Sequence, residues 1–284
     1  MPASEASVVT AVLLALAAAA SFGAMTVAIR LALSSGGSAS RASAATLVTS
    51  FAVTLIASFV RHDYTTAWKF FLAGLLAPGL SQILFTRSVK DVGASRTSVT
   101  VGTAPLFALI IAFTLLDEPV EAQLVVGAVA IVVGGSILVA ERDRPTHLRS
   151  FGILCALGAA VLFAVRDNIV RALHAHGSPE TVAAATMLAG MLVGMASARG
   201  IPSRREIRSL APAGLLFGFS YICLFEAYFH GRVSVVSPLI ATESLWGVGL
   251  AALVIGSSEA VGWRVVLGAL AIVGGSVAIG LAAG

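Results

Sequence analysis

Ten apolar stretches of about 20 residues follow one another along this chain of 284 residues, separated by short patches of charge, glycine or proline. Twenty helical residues at about 1.5 Å rise span the roughly 30 Å hydrocarbon core of a bilayer. Backbone amides in lipid must be satisfied within their own segment, and the alternation of barrel strands is missing, so each stretch is expected to be a helix. Composition agrees: 58% of residues are hydrophobic and 11% charged, against roughly 25% charged in a soluble domain. Mean hydropathy is +0.97. These features predict an all-α polytopic membrane protein, multi-pass in the cell (inner) membrane, with no stretch long and polar enough for a separate soluble domain.

The expected spans are 8–33, 42–60, 67–87, 94–115, 120–140, 150–173, 181–198, 210–229, 233–255 and 260–281. The first has no Lys or Arg before it and is too long for the apolar part of a signal peptide, so it reads as a mature span. The pI of about 9.6 does not point to nucleic acid, because the basic residues are scattered over the connections as topology signals. About 13 of the 18 Lys and Arg fall in or beside the connections after spans one, three, five, seven and nine. The positive-inside rule then puts both termini outside. Cys155 and Cys223 lie within spans, with neither a CxxC spacing nor a His partner, and are expected to serve packing.

The halves repeat. An offset of 141 superimposes Phe22 on Phe163, Arg30 on Arg171 and Gly127 on Gly268, where GAVAIVVGGS meets GALAIVGGS; Leu84-Phe85 matches Leu224-Phe225 at 140. Five spans per half is an odd number, so the second half enters the membrane from the opposite side. The expectation is ten transmembrane helices as two inverted five-helix repeats, residues 1–141 and 150–284. Such repeats are a hallmark of secondary transporters, with a site near mid-membrane at the repeat interface.

Ionisable residues inside spans are the candidate functional groups, since a carboxylate at mid-bilayer costs roughly 2.5–3.5 kcal/mol unless paired, hydrated or protonated. Glu243 sits near the middle of the ninth span, where loss of water favours a protonated carboxyl, making it a candidate proton-coupling group. Asp167 and Arg171, four apart, are expected to pair along one helix face. Arg166 lacks such a neighbour and is a candidate for Glu243, Glu226 or an anionic substrate group, its planar fork suiting a carboxylate. Glu226 and His230, four apart, read as an interfacial ion pair or a proton relay. Arg87 and Arg96 read as snorkelling interfacial anchors. Gln82, Tyr221 and Trp246 are polar or aromatic residues that could line a cavity.

Pro78, Pro105 and Pro238 interrupt spans three, four and nine, and are candidates for kinks or gates. Together these interruptions place a cavity among spans three, four, eight and nine. Ala130-xxx-Gly134 and Ala271-xxx-Gly275 predict close helix packing across the halves or in a dimer, giving a monomer or homodimer. Asp117, Glu118 and Pro119, with Glu259 in the repeat, read as helix caps. HExxH and GxSxG motifs and paired aspartates on adjacent helices are absent, so catalysis, metal and cofactor are not expected. A Gly-Lys nucleotide loop is absent too, so the alternative of a permease subunit in a multi-chain complex would borrow its ATPase from another chain.

TAPLFALIIAFTLLDEPVEAQLVVGAVAIVVGGSILVA, from Thr103 to Ala140, and SFGAMTVAIR, from Ser21 to Arg30, resemble the drug/metabolite transporter superfamily, specifically its ten-helix EamA family. Phe22 and Phe163 stand where the family has a common Trp. Its Glu-Pro pair is divided here between Ala104-Pro105 and Glu243-Ser244. The resemblance implies an exporter or exchanger of small polar metabolites such as amino acids, working by alternating access in the bilayer, with protons as a candidate coupling ion. It also implies cytoplasmic termini, opposite to the charge count. In this scheme Glu243 takes a proton or the substrate's amino group, and Arg166 an anionic group.

Overall fold

The computed structural model describes residues 5–34, 36–61, 63–65, 67–116, 122–139, 146–173, 177–255 and 263–282. Every regular element among them is a helix, and they form eight spans long and apolar enough to cross a membrane. Five run unbroken: α1 (Glu5–Ser34), α2 (Ala39–Ser58), α8 (Thr146–Ala172), α9 (Pro179–Ser197) and α10 (Arg204–His230). Three are divided, into α3 (Ala67–Gly74) and α4 (Ser81–Val92), α5 (Ala94–Val101) and α6 (Ala104–Leu115), and α11 (Val233–Ile240) and α12 (Glu243–Val254). The remaining helices are α7 (Ala122–Val139) and α13 (Trp263–Ala282). The expected caps Asp117, Glu118, Pro119 and Glu259 lie outside the described residues.

Local chemistry explains the helices. Hydroxyls inside the apolar α2 bond back to their own helix: Thr46 donates to the Ala42 carbonyl at 2.9 Å and Ser50 to that of Thr46 at 2.8 Å. These hydroxyls are thus satisfied without water. Helix α10 starts six residues before the expected boundary because Ser203 and Glu206 form a capping box, with the Ser203 amide donating to Glu206 Oε2 at 2.7 Å.

The three divided spans are the ones that carry Pro78, Pro105 and Pro238. Ala77 is extended (φ −143°, ψ 116°), because Pro78 has no amide hydrogen and disfavours helix in the residue before it. Spans four and nine are each broken by a tight turn. The Thr103 amide donates to the Thr100 carbonyl and the Thr242 amide to that of Leu239, both at 3.1 Å. Pro105 lies in the first turn of α6, where its missing donor is harmless, and Pro238 stays inside α11. Neither is itself the residue at the turn.

Packing interlocks the halves. Helix α1 lies against α10 and α12, and α8 lies against α4 and α6, so each half's first helix is held by the other half's third and fourth spans. Helix α7 packs on α13 through the small residues singled out above. A β-carbon on Gly134 would stand 2.8 Å from the Gly268 carbonyl oxygen, and one on Gly275 would stand 2.5 Å from that of Gly127. Only hydrogen fits at either place.

Candidate functional site

The breaks in spans four and nine open onto one hollow. Phe22, Met25 and Phe85 face it from the first half, and Phe163, Arg166 and Glu243 from the second. Glu243 arrives there because the turn at Thr242 makes it the first residue of α12. Gly23 lets α12 approach: a β-carbon at Gly23 would lie 2.5 Å from Trp246 Cβ and 2.9 Å from the Glu243 carbonyl oxygen. The Glu243 residue is 8% exposed, and its carboxyl has no hydrogen bond or ion pair to any described residue.

Arg166 is the opposite case. It is 3% exposed, its Nε donates to Asp167 Oδ1 at 2.8 Å, and its Nη1 donates to the Tyr221 hydroxyl. Its guanidinium carbon lies 4.7 Å from the Tyr221 ring centroid, 5.2 Å from that of Phe163 and 5.7 Å from that of Phe225. A carboxylate and three aromatic rings already surround this cation. The expected pair of Asp167 with Arg171 is replaced: Asp167 serves Arg166, and Arg171 donates to the Tyr228 carbonyl at 2.9 Å. Sequence spacing favoured the four-residue neighbour, whereas α10 supplies Arg171 with a closer acceptor on another helix.

The other candidates are dispersed. Pro105 lines the hollow, while Pro78 packs against Gly190 of α9. Tyr221 stands behind Arg166 and is fully buried. Gln82 is buried but does not line the hollow; its amide reaches Thr86 at 3.5 Å and its carbonyl oxygen has no partner. Trp246 is 48% exposed on the outer surface. Glu226 belongs to a cluster at helix ends: Arg61 bonds both Glu226 and Glu180 at 2.7 Å, and His230 lies 3.1 Å from Glu226. Arg87 pairs with Asp91 at 2.7 Å, and Arg96, expected to snorkel, is 5% exposed.

Sequence reasoning missed the aromatic stripe Phe217, Tyr221, Phe225 and Tyr228 on α10, although spacings of four and seven residues put all four on one face. Ring centroids along it are 4.9 and 5.1 Å apart. The Tyr228 hydroxyl is buried beside Asp167 and Ser237. The repeat also separates charge: Arg166 and Asp167 correspond to Met25 and Thr26, and Glu243 to Ala104. All the charge in the hollow therefore comes from the second half.

Comparison with known proteins adds the family. The model of the EamA-like transporter family matches residues 9–140 and again 150–281. A solved crystal structure of a protein is 19% identical, with 96% of this chain and 98% of that chain covered and a TM-score of 0.71, a likeness that speaks to fold alone. No curated protein matches the chain.

Proposed function

The chain belongs to the EamA-like transporter family, and from that premise we propose that it is a secondary transporter moving a small polar metabolite, of which amino acids are one class, by alternating access. In this reading ten spans form two inverted five-helix repeats in the inner membrane, and the hollow between them is the substrate site. The contacts of α7 with α13 support the inversion. Residues 127–131 face Gly275, while Gly134 faces 268–272, so the two helices run antiparallel. Positions 141 apart exchange places in that contact, as Gly127 and Gly134 become Gly268 and Gly275. A two-fold axis relating antiparallel helices lies across them, which for membrane spans means within the membrane plane. Division of spans four and nine beside the hollow fits the same reading, since interrupted helices mark transporter binding sites.

Glu243 carries the proposal: it is a carboxyl with no partner, at a helix break, facing a hollow lined by both halves. It takes a proton or the positive group of the substrate. The Arg166–Asp167 pair holds the aromatic wall in place and does not itself receive an anion. The test is uptake of a metabolite panel into proteoliposomes with and without a pH gradient. Glu243→Gln is expected to remove the dependence on the gradient and slow uptake by about tenfold or more. Unchanged coupling in that variant removes Glu243 from the mechanism.

A further inference from the structure

Once Glu243 gives up its proton, charge in the hollow is unbalanced, and the imbalance specifies a ligand. Its lining holds three ionisable side chains: Arg166, Asp167 and Glu243. Arg166 and Asp167 neutralise each other at 2.5 Å, and the guanidinium also contacts the Tyr221 hydroxyl and lies over the rings of Phe163, Tyr221 and Phe225. A ligand carboxylate would have to displace Asp167 and then lie beside two carboxylates sharing one cation. A ligand ammonium meets Glu243, which has no other partner, and aromatic faces that attract cations. The first half adds only apolar side chains to the lining, because Met25 and Ala104 stand where the second half has Arg166 and Glu243.

We infer that the hollow selects a monovalent organic amine with an aromatic or apolar body and no carboxylate, its ammonium against Glu243 and its body against Phe22, Met25 and Phe85. This inference rests on the transporter reading and narrows its substrate class, setting simple amines above amino acids. Discrimination comes as much from the unpaired charge a carboxylate would leave as from the contacts an amine gains.

Three probes of similar shape and different charge test it: phenethylamine (cation), phenylalanine (zwitterion) and phenylacetate (anion). Equilibrium binding of labelled phenethylamine to the full chain in detergent is expected, with the other two competing at least about tenfold more weakly. Glu243→Gln should weaken phenethylamine binding by about tenfold or more, while Gln82→Leu, away from the hollow, should leave it unchanged. Phenylalanine or phenylacetate binding as tightly as phenethylamine overturns the inference, as does wild-type protein that binds none of the three. That ranking needs no variant, so a misfolded Glu243→Gln protein does not shield the idea. Proteoliposome uptake separates the two readings. Phenylalanine carried in preference to phenethylamine defeats the amine class and keeps the transporter, whereas selective amine binding without uptake of any probe defeats the transporter and keeps the class.

Discussion

Arg166 and Asp167 show how a buried ion pair and its repeat equivalent solve one packing problem in two ways. In the first half Thr26 at the equivalent position simply bonds back to the Phe22 carbonyl at 2.9 Å. Removing one partner of a buried pair is far more damaging than replacing both. Asp167→Asn is therefore expected to cost about 3–5 kcal/mol of stability, read as a lowered unfolding temperature in detergent. The double replacement Arg166→Met with Asp167→Thr copies the first half and should recover stability to within about 1 kcal/mol of wild type. A double variant as unstable as the single one would mean that the pair organises the wall in a way apolar packing cannot replace. Glu243 was legible in the sequence as an ionisable group at mid-span. That Arg166 was already engaged was not, because its neighbours Tyr221 and Phe225 come from a helix more than 50 residues away.

Among the elements, α7 and α13 depend on backbone contact. A side chain at Gly275 would meet the Gly127 carbonyl oxygen and Ala130 Cβ, and main chain cannot move aside as the tip of a side chain can. Gly275→Leu is expected to destabilise by about 1–3 kcal/mol, as overpacking does. Gly274→Ala, with nothing within 4 Å of the new β-carbon, should leave the unfolding temperature unchanged. Equal effects at both positions would rule out the close crossing. The small-xxx-small spacing announced this contact from sequence, because only glycine and alanine at that period allow it. The breaks in spans four and nine were less legible. Proline marked their neighbourhood, but the turn falls at Thr103 and Thr242, where hydrogen bonding shifts by one residue.

For the molecule as a whole, the proposal of ten spans has a simple consequence: an even number of crossings returns the chain to the side it left. Reporters fused before the first residue and after the last should report the same compartment, and opposite compartments would exclude ten spans. Ion pairs join helix ends across the halves, Arg41 with Glu206 at 2.5 Å and Arg61 with Glu180 and Glu226. Arg61 is exposed but Glu180 is buried, so Arg61→Ala leaves a buried carboxylate unpaired and should destabilise by more than the about 0–1 kcal/mol typical of a fully exposed pair, read as a lowered unfolding temperature. Hydropathy alone determined that the chain is a helical membrane protein, because lipid allows no other way to satisfy this many backbone amides. The repeat, likewise, is written in residue identities and offsets. Only the tertiary structure decided which charges meet and which stay unpaired, because those distances run between helices far apart in sequence, and a pattern along one chain carries no information about them.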